Sequence, residues 1–281
     1  MDTRWLLVDM LPKMQCAIQA LKSASVISID TEYDSFRYFR EKLCLIQIYI
    51  HDTVYIFDPL GHLNLSFLGE YFNNDQILKI FHAAENDIRL LKRDYGFHFR
   101  NIFDTHRAAM ILGFQELSLE KMIKEFVGVE LQKNKKIQRS RWDHRPLTED
   151  QLRYAAQDVI YLPVLYEKES MELRSKGLQE ETTKAFAKIA EADWREKTFD
   201  RQGYKKIKGC DDLNQKQKNL LKTLYCWRFQ RAKDENKAIF MFLPDNNLLG
   251  LAQDATHPEK YLSKRKMKVY GEEIERLISD A

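Results

Sequence analysis

Asp30 and Glu32 stand two residues apart in SASVISIDTEYDS, at the C-terminal end of the apolar run Val26–Ile29. Side chains at i and i+2 on extended backbone point to the same side, so two carboxylates address one point in space. A further acid, Asp87, lies in FHAAENDIRLL, early in a predicted helix that begins where a second apolar run stops. Asp158 lies in LRYAAQDVIYL, four residues after Tyr154 and therefore one helical turn away on the same face. Local explanations exist. Asp30 can cap a turn, Asp87 can favour the positive end of its helix dipole, and Tyr154 can fill an amphipathic face. Asp158 is harder to explain locally. It sits among Ala155, Ala156, Val159 and Ile160, where burying an unpaired charge costs on the order of several kcal/mol.

If the acids converge, each pair at about 4 Å repels by about 4 kcal/mol at an effective dielectric of about 20. A positive group must offset that repulsion, or one of the carboxyls must keep its proton. Oxygen donors without histidine or cysteine among them suit Mg²⁺ or Mn²⁺ better than Zn²⁺. Two such ions about 3.5–4 Å apart can clamp the attacking and leaving oxygens of a phosphodiester. Spacing alone does not establish convergence, because the acids are scattered along the chain.

The elements that must position them are legible. A helix is predicted over Lys13–Leu21, then a strand over Val26–Ile29. LCLIQIY (43–49) and TVYIFD (53–58) read as two strands of a hairpin turning at His51–Asp52. ILKIFHA (77–83) reads as another buried strand, leading into a helix over Glu85–Arg93 that Gly96 ends. NIFDTHRAAMILG gives a short strand and a helix stopped by Gly113. Leu119, Met122, Ile123 and Phe126 form one helical stripe, stopped by Gly128. Thr148 with Gln151 forms a capping box at the start of the helix that carries Tyr154 and Asp158. Strands alternating with helices after a ribbon-like opening predict an α/β domain with a mixed sheet flanked by helices.

Beyond about Lys168 the composition changes. The stretch 169–208 is charged and partly helical, and the last seventy or so residues read as a small all-α helical module. Its stripe runs through Leu213, Leu220, Leu224 and Trp227, and a further helix begins near Asp245. The predicted division is 1–170 for the α/β domain, 171–210 for a helical linker and 211–281 for the helical module.

The chain has 281 residues, 44% hydrophobic and 31% charged, which is a globular composition rather than a disordered one. No apolar run is long enough to span a bilayer, and the N-terminus lacks the pattern of a secretory leader. The scattered cysteines Cys16, Cys44, Cys210 and Cys226 read as reduced thiols of a cytoplasmic protein without a cysteine metal site. Net charge is only +3, but it is unevenly spread. The segment 132–145 holds six Lys or Arg against one acid, 201–209 four against none, and 257–268 five against one. Such stretches are solvated loops or phosphate contacts beside a site whose own acids repel phosphate.

The four stretches DTE (30–32), FHAAENDIRLL (81–91), FDT (103–105) and RPLTEDQLRYAAQDVIYL (145–162) together resemble the DEDD superfamily of 3′→5′ exonucleases. Their order is most similar to ribonuclease D and its eukaryotic nuclear-exosome relatives, and the Tyr154-x-x-x-Asp158 form resembles the tyrosine branch. The resemblance covers about residues 1–170 and implies a ribonuclease H-like fold. It implies that Asp30, Glu32, Asp87 and Asp158 bind two divalent cations, Mg²⁺ or Mn²⁺, with Tyr154 positioning the attacking water. The implied product is a nucleoside 5′-monophosphate cut from an accessible RNA 3′ end, transfer-RNA precursors being the family's usual substrate. Monomeric action without a membrane is expected.

Around this set, His82 resembles a family-typical histidine, and Lys135, Gln138, Trp142 and Arg145 match the family's loop near the site. Arg141 stands where the family usually has an acid. Arg37 and Arg40, interleaved with Tyr33, Phe36, Tyr38 and Phe39, read as a base-stacking platform with phosphate contacts. The tail 211–281 resembles the helicase-and-RNase-D C-terminal domain, which makes Trp227 and Arg228 substrate-contact candidates. Other readings stay open: a DNA exonuclease of the same superfamily, an inactive RNA-binding scaffold, or a hydrolase of small nucleotides.

Overall fold

The computed structural model describes residues 4–131 and 134–280. In chain order the elements are β1 (Arg4–Val8), α1 (Leu11–Ser23), β2 (Val26–Asp34), β3 (Lys42–Ile50), β4 (Thr53–Phe57), α2 (Leu68–Phe72), β5 (Leu78–Phe81), α3 (Glu85–Tyr95), β6 (Ile102–Asp104) and α4 (Thr105–Leu112). There follow α5 (Leu119–Val127), α6 (Lys135–Gln138), α7 (Glu149–Ile160), α8 (Leu162–Ser175), α9 (Gln179–Ala190), α10 (Gln215–Asp234), α11 (Ile239–Phe242), α12 (Asp245–Gln253) and α13 (Lys264–Ser279). The chain divides into two compact units. One comprises residues 4–34 and 42–195, and the other 35–41 and 196–280.

The first unit is built on a six-stranded mixed sheet in the order β1-β4-β3-β2-β5-β6. β2, β3 and β4 form an antiparallel meander, while β5 and β6 add to it in parallel. The hairpin turn comes where the sequence places it, at His51 and Asp52 (φ 44° and 63°), the left-handed pair that a tight two-residue connection requires. Strand β3 is buried along nearly its whole length, which is why LCLIQIY shows no polar alternation. The predicted capping box is present, with the Thr148 side chain accepting from the Gln151 N–H and the Gln151 side chain accepting in return from the Thr148 N–H.

Three differences from the sequence reading matter. Strand β2 continues to Asp34, so Asp30 and Glu32 lie inside the strand rather than beyond its end, and cross-strand neighbours on β3 fix their direction. Strand β1 was not expected; RWLLV is too short to show a period and pairs in parallel with β4 at the sheet edge. The expected linker 171–210 is no linker. The α8 and α9 helices bury Leu165, Leu173, Phe186 and Ile189 in the core of the first unit, and the boundary falls at 195/196.

The second unit is helical and has its own core, formed by Leu220, Leu224, Trp227, Leu248, Leu251 and Ile274 among others. Segment 35–41 belongs to it. Phe39 is 1% exposed there and packs edge-on against Phe229, and the Ala238 N–H donates to the Arg37 carbonyl. Part of the basic charge is matched locally, Lys206 by Asp200 and Lys260 by Asp254. No helix of the described residues is long and apolar enough to cross a membrane.

Candidate active site

The register Asp30↔Gln47, Glu32↔Leu45 aims both acids of β2 toward the face on which α7 packs. Helix α7, started by its capping box, lays Asp158 against that same face. One oxygen from each of Asp30, Glu32 and Asp158 lies within 4.8 Å of the others. The three acids therefore converge although 126 residues separate Glu32 from Asp158. An all-carboxylate donor set of this span suits a hard divalent cation.

Asp87 is the third residue of α3 and approaches from the other side. It accepts a short hydrogen bond from the Thr31 hydroxyl, the residue between the two β2 acids. Burial is the main cause that lifts its carboxyl to about 7, with Asp104 adding to it and the Thr31 hydrogen bond opposing it. Asp104 of the FDT stretch does not line the cleft. Its carboxylate accepts from the N–H groups of Ala83, Ala84 and Arg107 at 3.0, 2.9 and 3.0 Å. It thereby holds Ala83 in the left-handed region (φ 63°) and sets the angle at which α3 delivers Asp87.

Asp30, Thr31, Glu32 and Asp158 line a cleft of about 400 Å³ that also receives His82, His106, Tyr154 and Gln138; Asp87 is neither among its lining residues nor in the three-acid group. The Thr105 hydroxyl donates to the Phe81 carbonyl (3.1 Å), so its contact with His82 Nδ1 (2.8 Å) is an acceptance. That places a proton on His82 Nδ1. Desolvation, then Asp158, Glu32 and Asp30, push the Tyr154 phenol well above its ordinary range. Tyr154 thus stays protonated and is able to offer a hydrogen bond rather than accept a proton. A larger groove of about 690 Å³ elsewhere in this unit lies along β6, α8 and α9. Among the described residues Glu191 is the one acid lining it, so they offer no comparable ligand set there.

Other sequence candidates occupy different places. Trp142 is 2% exposed, donates from Nε1 to the Gln138 carbonyl at 3.1 Å, and packs its ring 5.9 Å from that of Tyr154. It braces the loop and the tyrosine. Lys135 is exposed on α6, while residues 132 and 133 lie outside the described residues.

Arg145, expected as a substrate contact, is instead a clamp. It donates to both oxygens of Asp58 (2.5 and 2.7 Å) and to the carbonyls of Cys44, Trp142 and His144. Such a fork-to-carboxylate geometry is beyond a lysine. We expect Arg145→Lys to lower stability by about 1–3 kcal/mol in urea unfolding, with RNA affinity nearly unchanged. Loss of RNA affinity at full stability would restore the substrate role.

In the second unit, Arg40 pairs with Glu196 and its N–H donates to Asn236 at 2.7 Å. Phe39 is core, so the expected stacking platform is broken up: hydrophobic burial, not stacking, explains that ring. Phe36 is 60% exposed, lies 4.9 Å from Phe240, and carries the Arg37 guanidinium 5.8 Å above its ring. Trp227 and Arg228 are also corrections. Trp227 packs between Phe242 and Tyr270, and Arg228, 3% exposed, donates to the Leu243 carbonyl and Asp245. Both lie on the inner face of α10 and hold α11 and α12.

The sequence reading missed His106 and Thr31 as cleft residues. His106 follows FDT directly, and its ring sits edge-on to His82 at 5.5 Å. A histidine one residue past a strand-to-helix junction was the available signal.

The chain is similar to proteins of known activity. Ribonuclease D of Desulfotalea psychrophila is 32% identical over 272 residues, covering 91% of this chain and 70% of that protein. The exosome complex component 10 homolog of Caenorhabditis elegans is 31% identical over 262 residues, 90% of this chain but only 29% of that protein. The chain thus spans under a third of the length of that relative. The catalytic core of RRP6 from Trypanosoma brucei superposes with a TM-score of 0.90 at 22% identity, over 99% of this chain and 80% of that one, which establishes the fold. Residues 8–174, which carry all four acids, match the 3′-5′ exonuclease family, and the chain belongs to that family.

Proposed function

We propose that the protein is a divalent-cation-dependent 3′→5′ exoribonuclease that removes nucleoside 5′-monophosphates from the free 3′ end of RNA. The observation that carries this reading is the meeting of Asp30, Glu32 and Asp158 within 4.8 Å; Asp87 is hydrogen-bonded to Thr31, the residue between the two β2 acids. The likeness to ribonuclease D favours RNA over DNA, and transfer-RNA precursors are the substrate that the family resemblance of the motifs suggests.

Asp30, Glu32, Asp87 and Asp158 would hold two divalent cations, Mg²⁺ or Mn²⁺, which would neutralise charge on the phosphate and lower the pKa of the attacking water. Tyr154, kept protonated first by burial and then by its acidic neighbours, would orient that water through its hydroxyl. The carboxylates repel a phosphate that arrives without counter-charge, so entry of the RNA end depends on cation. The bond broken is that between phosphorus and the 3′-oxygen of the penultimate nucleotide. The last nucleotide leaves carrying the phosphate on its 5′ position, and the shortened chain keeps a 3′-hydroxyl. In the second unit, the helical tail is an accessory module of the helicase-and-RNase-D C-terminal kind.

The test is a time course on 5′-labelled RNA with Mg²⁺ and Mn²⁺ titrations, alongside single-stranded DNA of the same sequence. The expected result is a ladder shortening one nucleotide at a time from the 3′ end, 5′-monophosphate products, and no cleavage in EDTA. Internal cuts, 3′-phosphate products or cation-independent cleavage would overturn the proposal, and faster digestion of the DNA would move the substrate class.

A further inference from the structure

Gln47 is 0% exposed at the middle of β3, and among the described residues neither its Nε2 nor its Oε1 has a hydrogen-bond partner. The Ser28 hydroxyl, also 0% exposed, is in the same position. Buried amide and hydroxyl groups are rarely left so, because each forfeits its hydrogen bonds to water. The place of this pair in the sheet says what they serve.

Gln47 lies directly across the ladder from Asp30 on one side and from Ile56 on the other. Directly opposed side chains share a face and stand with Cβ atoms about 4.5–5.5 Å apart. Of the two cross-strand neighbours, only Asp30 accepts hydrogen bonds; Ile56 is an apolar wall. Ser28 precedes Asp30 by two residues and so shares its face, diagonal to Gln47 and within reach of a long side chain. Above this row packs α7, whose buried inner side brings Tyr154 and Asp158.

Asp30 is one of the acids that would hold the cations in the proposed function, so the plane and rotamer of its carboxylate matter to their binding. Groups that orient a ligating carboxylate from behind typically change metal affinity 10–100-fold. We infer that Gln47 is a positioning residue for Asp30. Its amide NH₂ donates to the Asp30 carboxylate in the cation-loaded site, and the Ser28 hydroxyl donates to the Gln47 Oε1, which settles the orientation of the amide. This inference rests on the metal-dependent reading of the site.

The test measures Mn²⁺ uptake by the whole protein without RNA, by titration calorimetry or by the EPR signal of free Mn²⁺, together with thermal unfolding in EDTA. The expected result for Gln47→Leu is a Mn²⁺ Kd raised about tenfold, with the unfolding midpoint in EDTA unchanged or higher because a buried polar group is gone. In the RNA assay kcat falls while KM stays within about twofold. Ser28→Ala shifts the Mn²⁺ Kd in the same direction by a smaller factor. A Gln47→Leu protein that folds and binds Mn²⁺ within twofold of the parent overturns the inference. If Gln47→Leu does not fold, Gln47→Met is judged by the same criterion; if neither folds, the amide is a member of the core and the inference falls. A parent protein that takes up no Mn²⁺ fails the proposed function itself, which is a distinct outcome.

Discussion

Asp30→Asn is expected to reduce kcat for 3′-end hydrolysis of RNA by at least about 10³-fold while leaving the fold intact. Asparagine keeps the shape and one oxygen donor but removes the charge of one of the three acids that meet in the ligand set. Its place on β2, locked by ladders to β3 and β5, means that the substitution disturbs no backbone pairing. Removing one carboxylate also relieves repulsion among oxygens that lie within 4.8 Å of one another. Each such pair is worth about 4 kcal/mol at an effective dielectric of about 20 before screening and protonation. The metal-free variant should accordingly unfold at the same temperature as the parent or higher, as is common when a functional site is relieved of strain. The paired measurements are single-turnover hydrolysis at saturating Mg²⁺ and a melting curve in EDTA. Full activity in the variant would remove Asp30 from the cation site. Lost activity with a midpoint lowered by several degrees would mean that the residue supports the fold.

How far the site could be read from the sequence follows from the range of the forces involved. Asp30 and Glu32 are legible as a pair because a strand has a period of two, and Tyr154 and Asp158 because a helix turns in under four residues. That the pairs meet is a tertiary fact. It depends on α7 crossing the face of β2 and β3, which no local pattern encodes; the resemblance of ordered motifs supplied it. The capping box, the hairpin and the glycine helix stops were readable because each is a local device.

The errors share one cause: charge and aromaticity at the sequence level do not reveal partners. Arg145 finds Asp58, 87 residues away. Arg40 finds Glu196, and Phe39 finds Phe229. A cationic side chain beside aromatic residues reads equally as a nucleic-acid contact or as an interior clamp until its partners are known. Gln47 escaped for the opposite reason. In LCLIQIY it looks like a tolerated polar residue in a buried strand, and only the register shows that it faces Asp30.

Helix α8 carries a residue whose effect on stability should be large and opposite in sign to that of most carboxylates. Its buried stripe reads Leu162, Leu165, Glu169, Leu173, so a glutamate fills a position that the spacing reserves for an apolar side chain. Among the described residues neither Glu169 carboxylate oxygen has a hydrogen-bond partner, and the side chain is 0% exposed. Desolvation, with Asp104 and Glu172 adding to it, pushes the carboxyl up to about 9 from an ordinary 4.5. Between those values the unfolded chain has released the proton and the folded protein retains it. The proton count difference is then negative, and stability falls as pH rises, by about 1.4 kcal/mol per unit. The contribution is fully present below about pH 4.5 and lost by about pH 9. Near pH 7 the loss amounts to about 3 kcal/mol, a large share of an ordinary domain's stability. Asp87 acts in the same direction over a lower window, between 3.8 and about 7, so the parent protein alone does not isolate the Glu169 term. The difference between parent and Glu169→Gln does, because both carry Asp87. Urea unfolding of the pair at pH 5, 6, 7 and 8 should show the variant gaining on the parent by about 1.4 kcal/mol per unit across that range. Glu169→Leu, which also restores the stripe, should be the more stable of the two variants. A parent and Glu169→Gln pair whose stabilities run parallel from pH 5 to pH 8 would show that the Glu169 carboxyl ionises in the folded protein as freely as in the unfolded chain.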